Sequence, residues 1–404
     1  MSDPAAAVAR HQGGGSADGW PAWRRVALGG GGGMFVGMGL GRFSYTAMVP
    51  ALIASGELTA LEAGRIGALN IAGFALGALL SVPVSARWGA YRVLALAAAL
   101  SVIALAASAV PLGFAWLALW RTLLGVAAGI IMVMSLALIA ATAPATRRPV
   151  AGGFVFAGVG LAIFVTGILV PRLLMHSLPV AWLGLAACGL AAIVLAIWGW
   201  HAAPGAVARP PAARAAPAAN PWSWPLHLLL AGHFFFSMAI VPHTLYWVDY
   251  IARGLGLGMA AGGFHWSVVG MASVAGPWSM AALGLRLGTA WALPISFITL
   301  GLGIAAPLIS DAGGVLLLSS VLFGAQPGLS ALMAARVRDL AEAEHMPRLM
   351  RAMILASAAG AVLAGAALPQ IYELTLSHVL VFALGGAAMI IGGLLVAPWS
   401  GARR

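Results

Sequence analysis

The chain has 404 residues, of which 62% are hydrophobic and only 8% are charged, and its mean hydropathy is +1.00. Soluble domains are about 45–50% apolar and about 25% charged, so this composition excludes a soluble domain and indicates a membrane protein. The basic residues are 21 arginines with no lysine, against 10 acidic residues. These arginines stand between apolar runs and not in a patch with interleaved aromatics, which excludes a nucleic-acid-binding surface and favours anionic lipid headgroups as their partners.

The chain begins with residues 1–23, which are rich in Ala, Gly and polar residues and have no signal-peptide core. We expect this segment to be a disordered cytoplasmic tail. The first predicted helix starts at residue 24, and its apolar run extends from Val26 to Ile53 with Arg42 as the only formal charge. A cation near the bilayer centre costs about 2.5–3.5 kcal/mol on insertion scales, so Arg42 should face a cavity or a partner.

A row of glycines lies on the first predicted helix, before Arg42. Gly33, Gly37 and Gly41 follow one another at four-residue spacing. Small residues at this spacing allow a neighbouring helix to approach closely in a membrane. The row therefore predicts a helix–helix contact on a face next to that of Arg42.

Eleven further apolar runs of about 20 residues predict eleven more spanning helices. We place them at residues 65–84, 91–110, 114–143, 150–174, 180–200, 225–250, 262–283, 290–309, 314–335, 351–371 and 377–397. The proline-rich stretch 201–224 is the longest internal break and is expected to be a flexible cytoplasmic linker. The sequence thus predicts an all-α integral membrane protein with six-helix bundles at 24–200 and 225–399, and a short cytoplasmic tail at 400–404.

The distribution of arginines predicts the orientation of these helices. With the N-terminus inside, 16 of the 21 arginines fall in cytoplasmic segments, and only Arg65, Arg172 and Arg253 fall on the opposite side. Positive residues favour the cytoplasmic side of a membrane. We therefore expect both termini in the cytoplasm, an even number of helices, and a location in a bacterial inner membrane.

An internal repeat appears when the second half of the chain is laid over the first. The overlay places Arg87-Trp88-Gly89 on Arg286-Leu287-Gly288, and Gly125 and Gly129 on Gly324 and Gly328. A parallel duplication of six helices places a substrate site near the midplane between the two halves. The alternative is a coincidence in a chain rich in Gly, Leu and Ala.

The chain from residue 24 to residue 399 resembles a major facilitator superfamily (MFS) transporter. The loop at residues 86–92 is similar to the signature Asp-Arg-x-Gly-Arg turn of that superfamily, which implies a gating role for Arg87 and Gly89. Ala86 stands in the position of the signature Asp, so the charge that would form a gating pair is lost. In the fourth helix, Arg121 and Gly125 resemble an Arg-x3-Gly element whose arginine is implicated in coupling. The alternative is that Arg121 lies toward the periplasmic end and only snorkels or donates to nearby carbonyls.

More narrowly, residues 37–50 resemble the first helix of the YbfB/YjiJ-type (MFS_4-like) facilitators. The resemblance implies the MFS fold, with twelve transmembrane helices in two pseudo-symmetric bundles. It implies secondary transport but no particular cargo.

The seventh predicted helix carries polar and aromatic residues on one face. His243, Tyr246, Trp247 and Tyr250 fall at i, i+3, i+4 and i+7. Such a stripe can line a substrate cavity. For Trp247 and Tyr250 we favour the alternative of an interfacial aromatic belt. Weaker cavity candidates are Asn70, His233, His265, Trp266 and Gln326.

Enzymes and cofactor proteins are not indicated. The sequence has no His-Glu-x-x-His, Gly-x-Ser-x-Gly or Gly-x4-Gly-Lys motif, so we expect no catalytic residues, no bound metal and no cofactor.

The sequence favours a secondary active transporter that moves a small polar or anionic organic solute by alternating access. The expected partners are this solute, protons and membrane lipids, and the protein is expected to be a monomer. Arg42 is the candidate principal contact, because its planar donor fork binds anions in bidentate fashion, and Tyr45 lies one turn further on. The alternative is that Arg42 donates to freed carbonyls or pairs with Asp249.

Protons are the expected coupling ion, with His233, His243 and Asp249 as candidate carriers, because histidine titrates near neutral pH. Alternative functions are a drug or metabolite efflux antiporter and, more remotely, a membrane receptor that transports nothing.

Overall fold

The computed structural model describes residues 20–202 and 222–398. The expected tails at 1–23 and 400–404 and the linker at 201–224 therefore lie wholly or mostly outside the described residues. The described part of the chain is all-helical, with short connections. This architecture confirms the all-α fold class.

The first half of the chain contains one long helical run and five further helices. The long run consists of α1 (Ala22–Met34), a π-helical segment (Phe35–Phe43) and α2 (Ser44–Ala54). The other helices are α3 (Ala60–Trp88), α4 (Ala90–Ala107), α5 (Gly113–Thr142), α6 (Arg148–Leu174) and α7 (Leu178–Trp200).

The second half begins with α8 (Trp224–Ala239) and α9 (Val241–Asp249), which a short π-helical segment, Tyr250–Gly254, extends. The helices that follow are α10 (Gly258–Ala305), α11 (Gly313–Gly324), α12 (Gln326–Leu340), α13 (Met346–Thr375) and α14 (His378–Leu395). We call the face of the molecule where α1 begins the N-terminal face, and the face where α2 ends the opposite face.

Within the described ranges, ten helices are long and apolar enough to cross a membrane. The run from residue 22 to residue 54 is not among these ten. Residues 258–308 count as one helix, although the backbone turns at Gly288 with φ 70° and ψ 158°. Gly89, which ends α3 at the equivalent position of the first half, adopts a similar conformation with φ 85° and ψ 138°. Glycine is suited to both turns because side chains disfavour positive φ.

The helix ends differ from the predicted ones by a few residues. The second predicted helix, 65–84, is longer in the structure because Thr59 and Glu62 form a capping box at the start of α3, with Glu62 accepting from the Thr59 amide at 2.8 Å. Predicted helix 314–335 is divided at Ala325 into α11 and α12. Pro327 follows this break and cannot donate a helical hydrogen bond.

Glycines allow close contacts within each half of the chain. A Cβ atom on Gly125 of α5 would lie 2.1 Å from the carbonyl oxygen of Asn70 in α3. In the second half, a Cβ atom on Gly324 would lie 2.6 Å from the carbonyl oxygen of Val269. Gly324 and Val269 are the counterparts of Gly125 and Asn70 in the internal repeat, so matched positions make matched contacts.

The glycine row of the first helical run lies against α5. A Cβ atom on Gly37 would lie 3.3 Å from the Cα atom of Ala128, and one on Gly41 would lie 3.2 Å from Leu124 Cγ. Gly33 lies against Trp200 of α7 as well as Ile131 of α5. The row therefore makes the close helix contact that its spacing predicts.

Contacts between the two halves of the chain place α2 beside α9. The hydroxyl of Thr46 donates a hydrogen bond to the carbonyl oxygen of Thr244. Elsewhere, α6 and α10 meet at glycines: a Cβ atom on Gly167 would lie 2.4 Å from the carbonyl oxygen of Gly263, and one on Gly160 would lie 2.8 Å from that of Gly270. We call this line of contacts the glycine seam.

A stability prediction follows from the crossing of α1 and α6. A Cβ atom on Gly158 would lie 2.0 Å from the carbonyl oxygen of Gly31, whereas one on Gly152 meets nothing within 4 Å. We expect Gly158→Ala to lower the unfolding temperature in detergent, because forced separation of packed elements costs about 1–3 kcal/mol. Gly152→Ala, in the same helix, is the control and should leave that temperature unchanged or slightly raised. Equal unfolding temperatures for the two variants would contradict the crossing.

Candidate functional site

Arg42 lies near the end of the π-helical segment and is only 9% exposed. Its Nε and Nη2 atoms are buried and have no hydrogen-bond partner among the described residues. Its Cζ atom lies 5.5 Å from the centre of the Phe43 ring. Burial of a charged group without hydrogen-bond partners costs free energy. A ligand that accepts hydrogen bonds from this guanidinium would recover part of that cost.

The π-helical backbone around Arg42 is rich in glycine and lies close to α6. Three of the nine residues from Phe35 to Phe43 are glycine, and the segment widens the helix from α1 to α2. A Cβ atom on Gly39 would lie only 2.2 Å from that of Ala162 in α6. Single π-turns are frequent at functional sites, and here the segment sets the direction in which Arg42 leaves the helix.

Arg121 of α5 lies directly behind the backbone of Arg42. It is 0% exposed, and its Nη2 donates to the Arg42 carbonyl oxygen at 3.4 Å. Its Cζ atom lies 4.7 Å from the ring centre of Tyr45 and 5.7 Å from that of Trp182, so two aromatic faces stabilise the cation. Of the two structural alternatives to a coupling role, snorkelling is wrong because the side chain is fully enclosed, whereas donation to a nearby carbonyl is found.

The polar groups of Asn70 and Tyr45 donate hydrogen bonds to backbone carbonyl oxygens of neighbouring helices. Asn70 Nδ2 donates to the Arg121 carbonyl oxygen at 2.7 Å, and the Tyr45 hydroxyl donates to the Ala63 carbonyl oxygen at 3.0 Å. The structure thus brings Arg42, Tyr45, Asn70 and Arg121 together. Arg121 Nε and Nη1 are also buried without a hydrogen-bond partner among the described residues, but Arg121 Nη2 is bonded, whereas the Arg42 side chain makes no hydrogen bond there.

Three residues of the stripe predicted on the seventh helix lie in α9, in which every residue is buried, and Tyr250 begins the π-helical segment that follows. The imidazole of His243 stacks between the rings of Trp247 and Phe323, with ring centres 4.4 Å and 4.5 Å away. His243 Nε2 also lies 2.9 Å from the Ser319 hydroxyl. The interfacial belt is wrong for Trp247 and Tyr250, because Trp247 is 0% exposed and Tyr250 is also buried.

Tyr246 lies apart from this cluster. Its ring packs 5.2 Å from that of Tyr372, and a Cβ atom on Gly64 of α3 would lie 3.2 Å from its hydroxyl. This hydroxyl has no hydrogen-bond partner in residues 20–202 and 222–398. Tyr246 therefore lies at the boundary between the halves, whereas His243 and Trp247 pack inside the second half.

Ser320 connects Trp247 to His265 of α10. Its hydroxyl donates to the Leu316 carbonyl oxygen at 2.9 Å and accepts from Trp247 Nε1 at 3.1 Å. His265 Nδ1 lies 3.1 Å from the same oxygen. His265 Nδ1 either donates to the Ser320 oxygen or accepts its hydroxyl hydrogen, depending on the tautomer.

Asp249 ends α9 and is 1% exposed. Its Oδ1 accepts from Arg253 Nη1 at 2.9 Å, and its Oδ2 lies 2.9 Å from His378 Nε2. The alternative pairing of Asp249 with Arg42 is therefore not the one found. Sequence reasoning missed His378, whose only signal was a histidine directly after the helix-capping Ser377.

Trp266 of α10, which the sequence indicated only as a weaker cavity candidate, is a stronger candidate for a ligand contact in the structure. It is fully buried, and its ring centre lies 6.3 Å from that of Phe43 across the boundary between the halves, at an interplanar angle of 49°. Its Nε1 has no hydrogen-bond partner in the described part of the chain. An indole N–H without a partner at this boundary can donate to a ligand.

The remaining predicted residues lie elsewhere. Gln326 and His233 are half-buried, and His233 packs 5.8 Å from Phe236. Arg87 and Gly89 are exposed at the turn after α3, on the N-terminal face. Outside the site, ligand atoms of Glu342, Glu344 and His345 lie within 4.8 Å of one another near the start of α13, but this group is largely exposed, as acidic groups without a metal commonly are.

Comparison with solved structures identifies the fold. The protein superposes on the crystal structure of a D-xylose-proton symporter with a TM-score of 0.71 and 15% identity, covering 93% of this chain and 96% of that one. The xylose transporter XylE from E. coli gives a TM-score of 0.70 and 13% identity, covering 92% and 94%. A POT peptide transporter in complex with sulfate gives a TM-score of 0.71 and 15% identity, covering 94% of each chain.

A search of curated proteins found no match. Residues 34–397, however, match the family model MFS_4, described as "Uncharacterised MFS-type transporter YbfB". This match covers most of the chain and confirms the resemblance read from the glycine-rich first helix. The protein therefore belongs to the MFS_4 family of major facilitator superfamily transporters.

Proposed function

We propose that this MFS transporter is a secondary active transporter that moves a small polar or anionic organic solute by alternating access, with Arg42 as its principal contact. The observation that carries the proposal is the buried guanidinium of Arg42 with two unpaired nitrogen atoms. A transporter family implies a non-enzymatic function. The proposed partners are the solute, protons and membrane lipids, and the proposed active form is a monomer.

The distribution of charged residues in the first half of the chain supports an anionic solute. The described carboxylates of the first half are Glu57, which is exposed, and Glu62, which belongs to the capping box. Arg42 and Arg121 therefore have no carboxylate partner in that part of the chain. A bound carboxylate would neutralise the Arg42 charge, and its two oxygens match the planar donor fork.

We propose twelve spans in two bundles, residues 24–200 and 225–399, joined by the linker 201–224 and flanked by tails at 1–23 and 400–404. The ten helices counted above become twelve when the run 22–54 is added as one span and residues 258–308 are divided into two spans at Gly288. The glycine contacts that recur at matched positions of the internal repeat support the two-bundle division. The site would then lie between the bundles, as in other parallel-repeat transporters.

We also propose that the N-terminal face is cytoplasmic and that the membrane is a bacterial inner membrane. The excess of arginines on this face supports that orientation. Arg87 and Gly89 lie on it, where the family signature implies a role in gating. The positive φ of Gly89 favours glycine at this turn.

Protons are the proposed coupling ion. The buried Asp249 carboxylate, bonded to His378 and near the opposite face, is the best-placed carrier. His243 and His233 are alternative carriers, and a role of Arg121 in coupling would act through its bond to the Arg42 backbone. One of the similar solved structures is named as a proton symporter, which supports this proposal.

Substitution of Arg42 tests the principal contact. Arg42→Gln removes both charge and fork, and should weaken binding of anionic solutes by about 10- to 100-fold, because a hydrogen bond to a charged group contributes about 1.5–3 kcal/mol. Arg42→Lys keeps the charge and should retain part of the binding. Uptake and binding of a panel of radiolabelled organic anions by proteoliposomes measure this, with the exposed Arg172→Gln as control. Wild-type affinity and flux in a well-folded Arg42→Gln protein would overturn the claim.

Single cysteines test the topology in a Cys188→Ala background. Met175, Leu285 and Leu374 are 84%, 88% and 85% exposed, with Leu285 on the N-terminal face and the others on the opposite face. In intact spheroplasts, a membrane-impermeant maleimide should label Met175→Cys and Leu374→Cys. Leu285→Cys should react only after permeabilisation. Labelling of Leu285→Cys in sealed spheroplasts would contradict the division at Gly288.

Substitution of Asp249 tests the coupling ion. Asp249→Asn removes the buried carboxylate, so accumulation driven by an inward pH gradient should be lost, while exchange of labelled for unlabelled solute at equal pH should persist. Transport assays in proteoliposomes measure both, with the exposed Asp311→Asn as control. If an imposed pH gradient leaves the flux of the wild-type protein unchanged, protons are not the coupling ion. If Asp249→Asn still accumulates solute under that gradient, Asp249 is not the carrier.

A further inference from the structure

We propose that the solute is a carboxylate with a flat aromatic ring and no amino group. This inference rests on the proposed function, because it takes Arg42 as the principal contact. It adds a second contact, Trp266, and a chemical class that follows from the groups between the halves.

Two residues that contact Phe43 carry unpaired hydrogen-bond donors. Arg42 contributes Nε and Nη2 from the first half of the chain, and Trp266 contributes Nε1 from the second. Neither a guanidinium nor an indole N–H can accept a hydrogen bond. A ligand that satisfies these groups must therefore present acceptor atoms, as a carboxylate does.

Aromatic surface lies between these donors. The Phe43 ring centre is 5.5 Å from Arg42 Cζ and 6.3 Å from the Trp266 ring centre. The two rings meet at 49° and not face to face. A flat ligand ring can join such a pair through edge-to-face or offset contacts, which contribute beyond the burial of apolar area.

The depths of Arg42 and Trp266 are compatible with one site. Arg42 lies about three helical turns before the end of α2, and Trp266 lies about two turns after the start of α10. With a rise of about 1.5 Å per residue, both lie about 12–18 Å from the opposite face. A site at this depth is close to the middle of a hydrocarbon layer about 30 Å thick.

An amino group would have no counter-charge at this site. Of the described carboxylates, Asp249 is the one that is buried, and both of its oxygens are already bonded to Arg253 and His378. The others are exposed, apart from Glu62 in its capping box. Desolvation of an unpaired ammonium is costly, so amino acids, peptides and amines are disfavoured.

Sugars fit the same donors poorly. Each sugar hydroxyl brings a hydrogen that needs an acceptor, and neither the Arg42 guanidinium nor the Trp266 indole can accept one. Sites discriminate strongly against ligands that leave buried polar groups unpaired.

Binding measurements by calorimetry on the purified full-length protein in detergent test the chemical class. The probes are benzoate and 2-naphthoate, with cyclohexanecarboxylate lacking the flat ring, phenylalanine adding an ammonium group, and benzyl alcohol lacking the charge. We expect the better aromatic carboxylate to bind about tenfold or more tightly than each of the other three.

The outcomes separate this inference from the proposed function. Equal binding of cyclohexanecarboxylate or phenylalanine would overturn the inference but leave an anion transporter that depends on Arg42. Failure of all carboxylates to bind, together with unchanged flux of other solutes in Arg42→Gln, would overturn both.

Variants of Trp266 test the second contact. Trp266→Phe keeps a ring but removes the N–H, and should weaken benzoate binding by roughly 2- to 10-fold, as expected for one hydrogen bond. Trp266→Leu should also abolish the preference for benzoate over cyclohexanecarboxylate. Trp291→Phe, at an exposed tryptophan of the same helix, is the control and should bind as the wild type does. Wild-type affinity and preference in a folded Trp266→Leu protein would overturn the role of Trp266.

Discussion

The arrangement of this protein depends on a guanidinium that is buried without a counter-ion. Water does not reach Nε and Nη2 of Arg42, and no described residue accepts from them. The neighbouring cation, Arg121, has more support: two aromatic faces and one carbonyl oxygen, against the single Phe43 ring beside Arg42, although Nε and Nη1 of Arg121 are also unpaired among the described residues. Two cations thus lie side by side, and Arg121 is bonded to the backbone from which Arg42 projects.

Close helix contacts make this burial possible. Between helices in lipid, apolar side chains gain little from leaving the solvent, so association depends on close packing and on polar contacts. Gly125 lets α3 and α5 approach until Asn70 reaches the Arg121 carbonyl oxygen, and Gly39 brings α6 against the π-helical segment. Gly39 and Gly125 therefore serve the geometry around Arg42.

The sequence predicted the membrane class, the family and most helices, because apolar runs and the positions of arginines carry that information locally. It also identified Arg42, since a lone charge in an apolar run is conspicuous. It did not pair Asp249 with His378, because those residues are 129 positions apart and only tertiary packing brings them together. Trp247 was misplaced at an interface because a helical stripe does not reveal what covers it.

The glycine seam between α6 and α10 has a mechanical consequence. Gly160, Gly167, Gly263 and Gly270 bring the two backbones close together there, while side chains of the facing helix, such as Val274, pack beside them. Interdigitated side chains resist rotation because they must change rotamer before one helix can turn against the other. A glycine has no rotamer to change, so these four positions resist rotation of α6 against α10 less than large side chains would.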